Sequence, residues 1–268
     1  MDYGYQLLRH VVRQVFGNLK EAAQLTLLLF LVPFIGFVLL WGSLAGLMPG
    51  TSGDAAPAAG GILLGGLLLL GVTALAYCWA AVGWHRYVLL EETGNGILPQ
   101  WHPDRVLSYL GRVILVVLIT VLAAIAGGVV VGLVTATTQA GGGTLILWVG
   151  LVFGISWVAT RIGLILPAAA VGARMTFGES WAATRPVSGQ ILLPLIVIAI
   201  VTVLVDQVIL LLFGQTTQVE VFGQIQDQVV PALPGQILNG IAYWLQVLVN
   251  LALMTTLYGN LVEGRPLN

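Results

Sequence analysis

"WVATRIGLILPAAAVG", residues Trp157–Gly172, belongs to an apolar run in which Arg161 is the only charged residue from Thr144 to Ala173. A guanidinium in hydrocarbon is costly, so the depth of this one side chain decides how the chain threads a bilayer. Residues 144–162 number 19, about 28 Å of helix at 1.5 Å per residue, enough to cross a ~30 Å hydrocarbon core. On that reading Arg161 marks the end of a span, where its head reaches water or lipid phosphate. The segment "GLILPAAAVG" then packs against the end of the bundle, with Pro167 ending or bending the helix. The competing reading is one tilted helix over 144–173 that buries Arg161.

The same ruler applied along the chain predicts six spans, at about 25–47, 62–84, 113–134, 144–162, 191–212 and 237–258. Composition agrees. The chain is 58% hydrophobic and 8% charged with mean hydropathy +0.99, against about 25% charged in soluble domains. The first long apolar segment begins near Leu25 and is too long for a signal-peptide core, so an uncleaved first span is expected. The single cysteine, Cys78, lies within an apolar run and excludes an intramolecular disulfide. The expected fold is all-α, a polytopic transmembrane helical bundle.

The charges set the orientation. Segments 48–60, 135–143 and 213–235 contain Asp54, Glu220 and Asp227 but no Lys or Arg. Segments 1–24, 85–112, 163–190 and 259–268 contain Arg9, Arg13, Lys20, Arg86, Arg105, Arg112, Arg174, Arg185 and Arg265, all the Lys and Arg except Arg161. The positive-inside rule then predicts that both termini are cytoplasmic. Residues 1–24 form a separate unit ahead of the six-span domain at 25–268. Leu8, Val12, Val15 and Leu19 recur at helical spacing beside Arg9, Arg13 and Lys20, the pattern of an amphipathic helix in the cytoplasmic interface. A helix packed on the inner end of the bundle fits that pattern equally well. Residues 219–229 are expected to form a shorter counterpart on the other side.

Three pseudo-repeated hairpins underlie this layout. "RYVLLEETG" (Arg86–Gly94) and "LYGNLVEG" (Leu257–Gly264) share Tyr, then Leu three residues on, then Glu five residues on, then Gly; "RIGLIL" (Arg161–Leu166) aligns with the first. Each repeat reads as a cytoplasmic amphipathic stretch, a span out, a loop and a span in. Glycines spaced by four occur at Gly42/Gly46, Gly61/Gly65, Gly128/Gly132 and Gly150/Gly154. Such spacing lets helices approach closely, and the bulkier residues lie toward the other end. The bundle is therefore expected to pinch outside and splay toward the cytoplasm.

Few polar groups enter the spans. Asn239, Tyr243, Gln246 and Asn250 form a stripe down one face of span six, and Asp206 is the only acid inside a predicted span. Similar depth predicts that Asp206 faces the stripe and bonds Tyr243 or Asn239. The preferred reading is an acid that joins two helices; the alternative is a proton or cation site. Arg86, Arg105, Arg112, Arg161, Arg174 and Arg185, with Trp84, Trp101 and Trp181, are expected to form a cationic, aromatic belt that anchors anionic headgroups. Hydrolase, P-loop, dinucleotide and zinc-protease motifs are absent. His85, His102, Glu91, Glu92 and Asp104 share a loop, but their spacing matches no metal-ligand pattern. No catalytic residue, metal, cofactor or nucleic-acid partner is expected.

Gly83–Arg112 and Leu166–Pro186 resemble uncharacterised prokaryotic multi-pass proteins of domain-of-unknown-function type. Some of these are similar to the membrane domain attached to certain glycerophosphodiester phosphodiesterases. The resemblance implies a bacterial-type inner (plasma) membrane. It brings no enzymatic residue with it, because the segments that carry it lie outside any phosphodiesterase domain. The expected role is that of a non-catalytic accessory or lipid-associating component with membrane lipids, and a possible membrane protein, as partners. The alternative is a small-molecule or ion carrier with a polar path along spans five and six.

Overall fold

An apolar chain whose backbone water cannot reach has one local solution, the helix. The computed structural model describes residues 2–45, 55–94, 96–138, 141–221 and 224–267, and it is all-α apart from one two-stranded sheet. The elements are α1 (Tyr3–Gly17), α2 (Leu19–Ala45), α3 (Ala55–Leu90), α4 (Pro103–Thr138), α5 (Gly141–Ile162), α6 (Ile165–Val171), α7 (Phe177–Thr184), α8 (Leu192–Phe213), β1 (Gly214–Val221), β2 (Gln224–Pro231) and α9 (Leu233–Leu261). Among the described residues, six helical stretches are long and apolar enough to cross a membrane: α2, α3, α4, α5 continued by α6, α8 and α9.

The spans pair as hairpins, α2 with α3, α4 with α5 and α8 with α9. Contacts of α3 with α4, α5 with α8 and α2 with α9 close them into a ring in chain order. The short helix α6 touches α3, α4 and α9 and plugs one end of that ring. This end also carries the arginines; the opposite end carries the β1–β2 hairpin.

The α5–α6 break answers the question of Arg161, and it lies at Gly163–Leu164 rather than at Pro167. Gly163 lies close to Met254 of α9: a Cβ there would come within 3.0 Å of its Cε. One serine satisfies a backbone group on each side of the break. The Leu164 N–H donates to Ser180 Oγ at 3.2 Å, and Ser180 Oγ donates to the Arg161 carbonyl at 2.7 Å. Pro167 is the third residue of α6, where its missing N–H is one of the four a helix leaves unpaired anyway. The segment after Arg161 is buried, as expected, through Ile165, Pro167, Ala168, Ala169 and Ala170.

Packing reverses the expected taper. Trp84, Leu248, Leu253 and Leu257 are fully or almost fully buried toward the arginine end, whereas α3, α4, α5 and α8 expose large apolar side chains along their hairpin-end halves. Gly132, Gly150 and Gly154 meet nothing within 4 Å, as does Gly61, and Gly128 makes only ordinary contact with Trp148; the Gly42/Gly46 pair extends outside the described residues. Close approaches fall elsewhere, at Gly83 against Pro99, Gly127 against Leu151 and Gly240 against Phe34. The physical reason is the solvent. Near water, apolar burial is favourable by about 25 cal/mol per Å², while in hydrocarbon that drive between helices vanishes. The bundle is tight where the large side chains are and open at Gly61, Gly132, Gly150 and Gly154.

Two local expectations also change. In α1 the buried stripe is Leu7, Val11 and Val15, each at 0% exposure, packed against the bundle beside α8 and α9. The expected stripe led by Leu8 and Val12 lies one residue over, because the doublets Leu7-Leu8, Val11-Val12 and Val15-Phe16 give the helix two adjacent apolar faces. Residues 219–221 and 224–229 belong to an antiparallel ladder, with Gly214 opposite Pro231 and Gln218 opposite Asp227. The β-branched, period-two pattern of "TTQVEV" and "QIQDQVV" favours a strand over a helix.

Candidate functional site

A cavity of about 600 Å³ lies between α1, α8 and α9. The second apolar face of α1 contributes Leu8, Val12 and Phe16; α8 contributes Val197, Val201 and Val205 among others; α9 contributes Ala242, Leu245 and Val249. Against this apolar wall stand Thr202, Asp206, Asn239, Tyr243 and Gln246. Of the residues singled out from the sequence, Asp206, Asn239, Tyr243 and Gln246 line this one cavity, and α1 was not foreseen as its third wall.

The bonding inside the cavity differs from the expectation. Asp206 is exposed and makes no hydrogen bond with Tyr243 or Asn239 among the described residues. Tyr243 instead packs on aromatic rings, 6.5 Å from both Phe30 and Tyr77. The Asn239 Oδ1 atom is buried without a hydrogen-bond partner, a state that costs about 1–3 kcal/mol in a folded protein. Thr202 donates to the Ile198 carbonyl at 2.9 Å, so its hydroxyl presents lone pairs to the cavity. Asn250 leaves the group and donates to the Gln246 carbonyl at 2.9 Å. An acid that joined α8 to α9 would be paired; this one is not.

The arginine belt divides in two. Arg161 is buried at 5% exposure, and its guanidinium donates to Trp181 O at 2.9 Å and Thr184 Oγ1 at 3.2 Å. Its head therefore meets protein, not phosphate. Arg112 donates to the Ile165 carbonyl at 2.7 Å and Arg86 to the Ala170 carbonyl at 3.1 Å, so these two hold the two ends of α6. Gly172, at φ +86, closes α6 in the left-handed region that favours glycine, and the Arg105 guanidinium lies over it. Arg105, Arg174 and Arg185 are exposed, as are Trp101 and Trp181. Trp84 is fully buried.

The loop residues separate. His102 Nε2 lies 2.7 Å from Glu92 Oε1, and Arg86 clasps the other oxygen of the same carboxylate. The Arg86 guanidinium, with His102 adding to it, holds the Glu92 carboxyl below the usual carboxylate range against an opposing effect of burial. His85 is elsewhere, in the core, with Nδ1 at 2.7 Å from Thr255 Oγ1 and Nε2 at 3.2 Å from Tyr109 Oη. Thr255 has one hydroxyl proton and gives it to Leu251 O at 2.6 Å. His85 Nδ1–H therefore donates to Thr255, and Nε2 accepts from Tyr109. Sequence reasoning missed Ser180, Thr255 and Tyr109; no signal short of the fold marks these residues.

Comparison with protein-family models, with curated proteins and with solved structures gives no match.

Proposed function

We propose that the protein is a non-catalytic, lipid-associating component of a bacterial-type plasma membrane, and that the groove between α1, α8 and α9 is where it holds its lipid. The observation that carries this reading is the lining: ten of the fifteen residues are aliphatic, alanine or phenylalanine, with a few polar groups gathered on α8 and α9. Sites for small molecules have this composition and a volume of roughly 300–1,000 Å³. A hydrated transport path calls for a continuous polar lining, which suits the carrier reading less well. The loose hairpin-end halves, with their exposed Leu, Ile and Val side chains, match a surface solvated by acyl chains.

The orientation follows the charges. Both termini, with exposed Arg105, Arg174 and Arg185, face the cytoplasm, where these side chains and Trp101 meet anionic headgroups. A membrane-protein partner remains compatible with this role. The resemblance of Gly83–Arg112 and Leu166–Pro186 to prokaryotic membrane domains agrees with the location.

Purification in mild detergent followed by mass analysis of the retained lipid tests the groove. Wild-type protein is expected to keep lipid in stoichiometric amount, and Ala242→Trp, which fills the lining, to lose it without a change in unfolding temperature. Equal retention by the variant would refute the groove as the lipid site. A stoichiometric protein in the same purification identifies an accessory subunit.

A further inference from the structure

The polar atoms in the groove are unequal in kind, and that inequality bears on what binds. Asp206 brings a carboxyl group with no hydrogen bond or ion pair among the described residues, Asn239 brings an unpartnered Oδ1, and Thr202 brings lone pairs because its proton is already given to Ile198 O. Among the described residues no Lys, Arg or His lines the cavity. Gln246 and the Asn239 amide can both donate and accept and Tyr243 can donate, while Asp206 and Thr202 offer acceptors alone and the Asn239 acceptor is the half of its amide left unmet. In hydrocarbon such groups are expensive unless something supplies protons to them.

Depth adds a second constraint. Asp206 precedes Phe213, the end of α8, by seven residues, and Asn239 follows Leu233, the start of α9, by six. Both therefore lie about 10 Å in from the hairpin end. From Asn239 to Val249 the α9 wall runs for another ten residues, about 15 Å, with Ala242, Leu245 and Val249 as its apolar part, and Val12 and Phe16 of α1 line the same cavity.

Resting on the lipid-groove reading above, we propose that the groove is selective for an amine-headed, single-chain amphiphile: its ammonium binds at Asp206 and Asn239, and its chain lies along Val201, Ala242 and Val249. An ammonium donates up to three hydrogen bonds and accepts none, which matches the acceptors on offer. An acid-headed chain of equal length brings more acceptors and a like charge. A charge-assisted hydrogen bond in place of an unmet acceptor gives a preference of roughly ten- to a hundredfold.

Titration of the full-length protein in neutral detergent, read by native mass spectrometry, tests this with dodecylamine, dodecanol and dodecanoate. Wild-type protein is expected to bind the amine tenfold or more tighter than the acid, with the alcohol between them. Asp206→Asn should bring amine and acid to within about threefold while the alcohol still binds. Asn239→Leu should weaken amine and alcohol together, which provides an independent reading if the Asp206 variant does not fold. Equal binding of amine and acid by wild-type protein overturns the selectivity, and so does a preference that Asp206→Asn leaves intact. In those cases the groove itself stands provided Ala242→Trp abolishes binding of all three probes. Binding that Ala242→Trp does not reduce, or no saturable binding at all, removes the groove reading and the selectivity with it.

Discussion

The guanidinium carbon of Arg161 lies 3.5 Å from the centroid of the Trp181 ring and 4.9 Å from that of Trp157, whose own indole stands edge-on to Trp181. The charged side chain that interrupts the apolar run of residues 144–173 is thus a joint between α5 and α7. Its stacking needs a planar, delocalised cation, and its two hydrogen bonds need the fork of a guanidinium. Arg161→Lys and Arg161→Leu should both lower stability, by about 2–4 kcal/mol, read as a drop in the unfolding temperature of detergent-purified protein. A lysine variant as stable as wild type would show that only the charge matters.

Glycine substitutions read the taper of the bundle. A Cβ at Gly83 would lie 2.4 Å from Pro99 Cβ, and one at Gly240 would lie 3.0 Å from the Phe34 ring, whereas Gly150 and Gly154 face open space. Gly83→Ala should cost about 1–3 kcal/mol through overpacking. Gly150→Ala and Gly154→Ala should be neutral or gain up to about 1 kcal/mol from helix propensity. Thermal unfolding of the single variants is sufficient. Destabilisation confined to the Gly150/Gly154 pair would restore the opposite taper.

His85, Thr255 and Tyr109 form one chain of hydrogen bonds across α3, α9 and α4. Tyr109→Phe removes the donor to Nε2, and Thr255→Val removes the acceptor for Nδ1–H. Each should cost about 1–3 kcal/mol because a buried polar atom is left unmet. The double variant should cost less than the sum, since both act on one imidazole. Strict additivity in a double-mutant cycle would show that the two bonds are independent.

Acid should release the loop between α3 and α4. The Glu92 carboxyl, held below its ordinary value of 4.5 by Arg86 and then His102, favours the closed loop at neutral pH. A depressed carboxylate pKa gives stability that is present above the ordinary value and lost as pH falls through the depressed one. Amide protection over residues 91–102, corrected for intrinsic exchange, should hold from pH 7 to about 5 and decline below about 4.5. Glu92→Gln should remove the pH dependence. A midpoint above 5 would assign the loop to another group.

Much of the fold was legible because each span is decided locally. A segment of about 20 apolar residues must become a helix whatever its neighbours do, and an excess of Arg and Lys at alternate connections separates the two ends of the bundle. The six spans, the hairpin pairing, the break after Arg161 and the gathering of Asp206 with Asn239, Tyr243 and Gln246 all came from such local signals. Boundaries were less legible: α3 and α4 run well past the predicted spans, because nothing in an apolar count marks where a helix continues beyond the bilayer.

What tertiary structure alone decided was the fate of each polar atom and the choice between equivalent faces. The doublets of α1 offer two apolar stripes, and only the positions of α8 and α9 make Leu7, Val11 and Val15 core and Leu8, Val12 and Phe16 groove. Arg161 was readable as the end of a helix, yet its partner is an indole 20 residues later, and the break beside it depends on Ser180. Hydrophobic length is a property of a segment and survives in one dimension. Hydrogen-bond satisfaction and stacking belong to pairs distant in the chain, and they exist only once the helices have met.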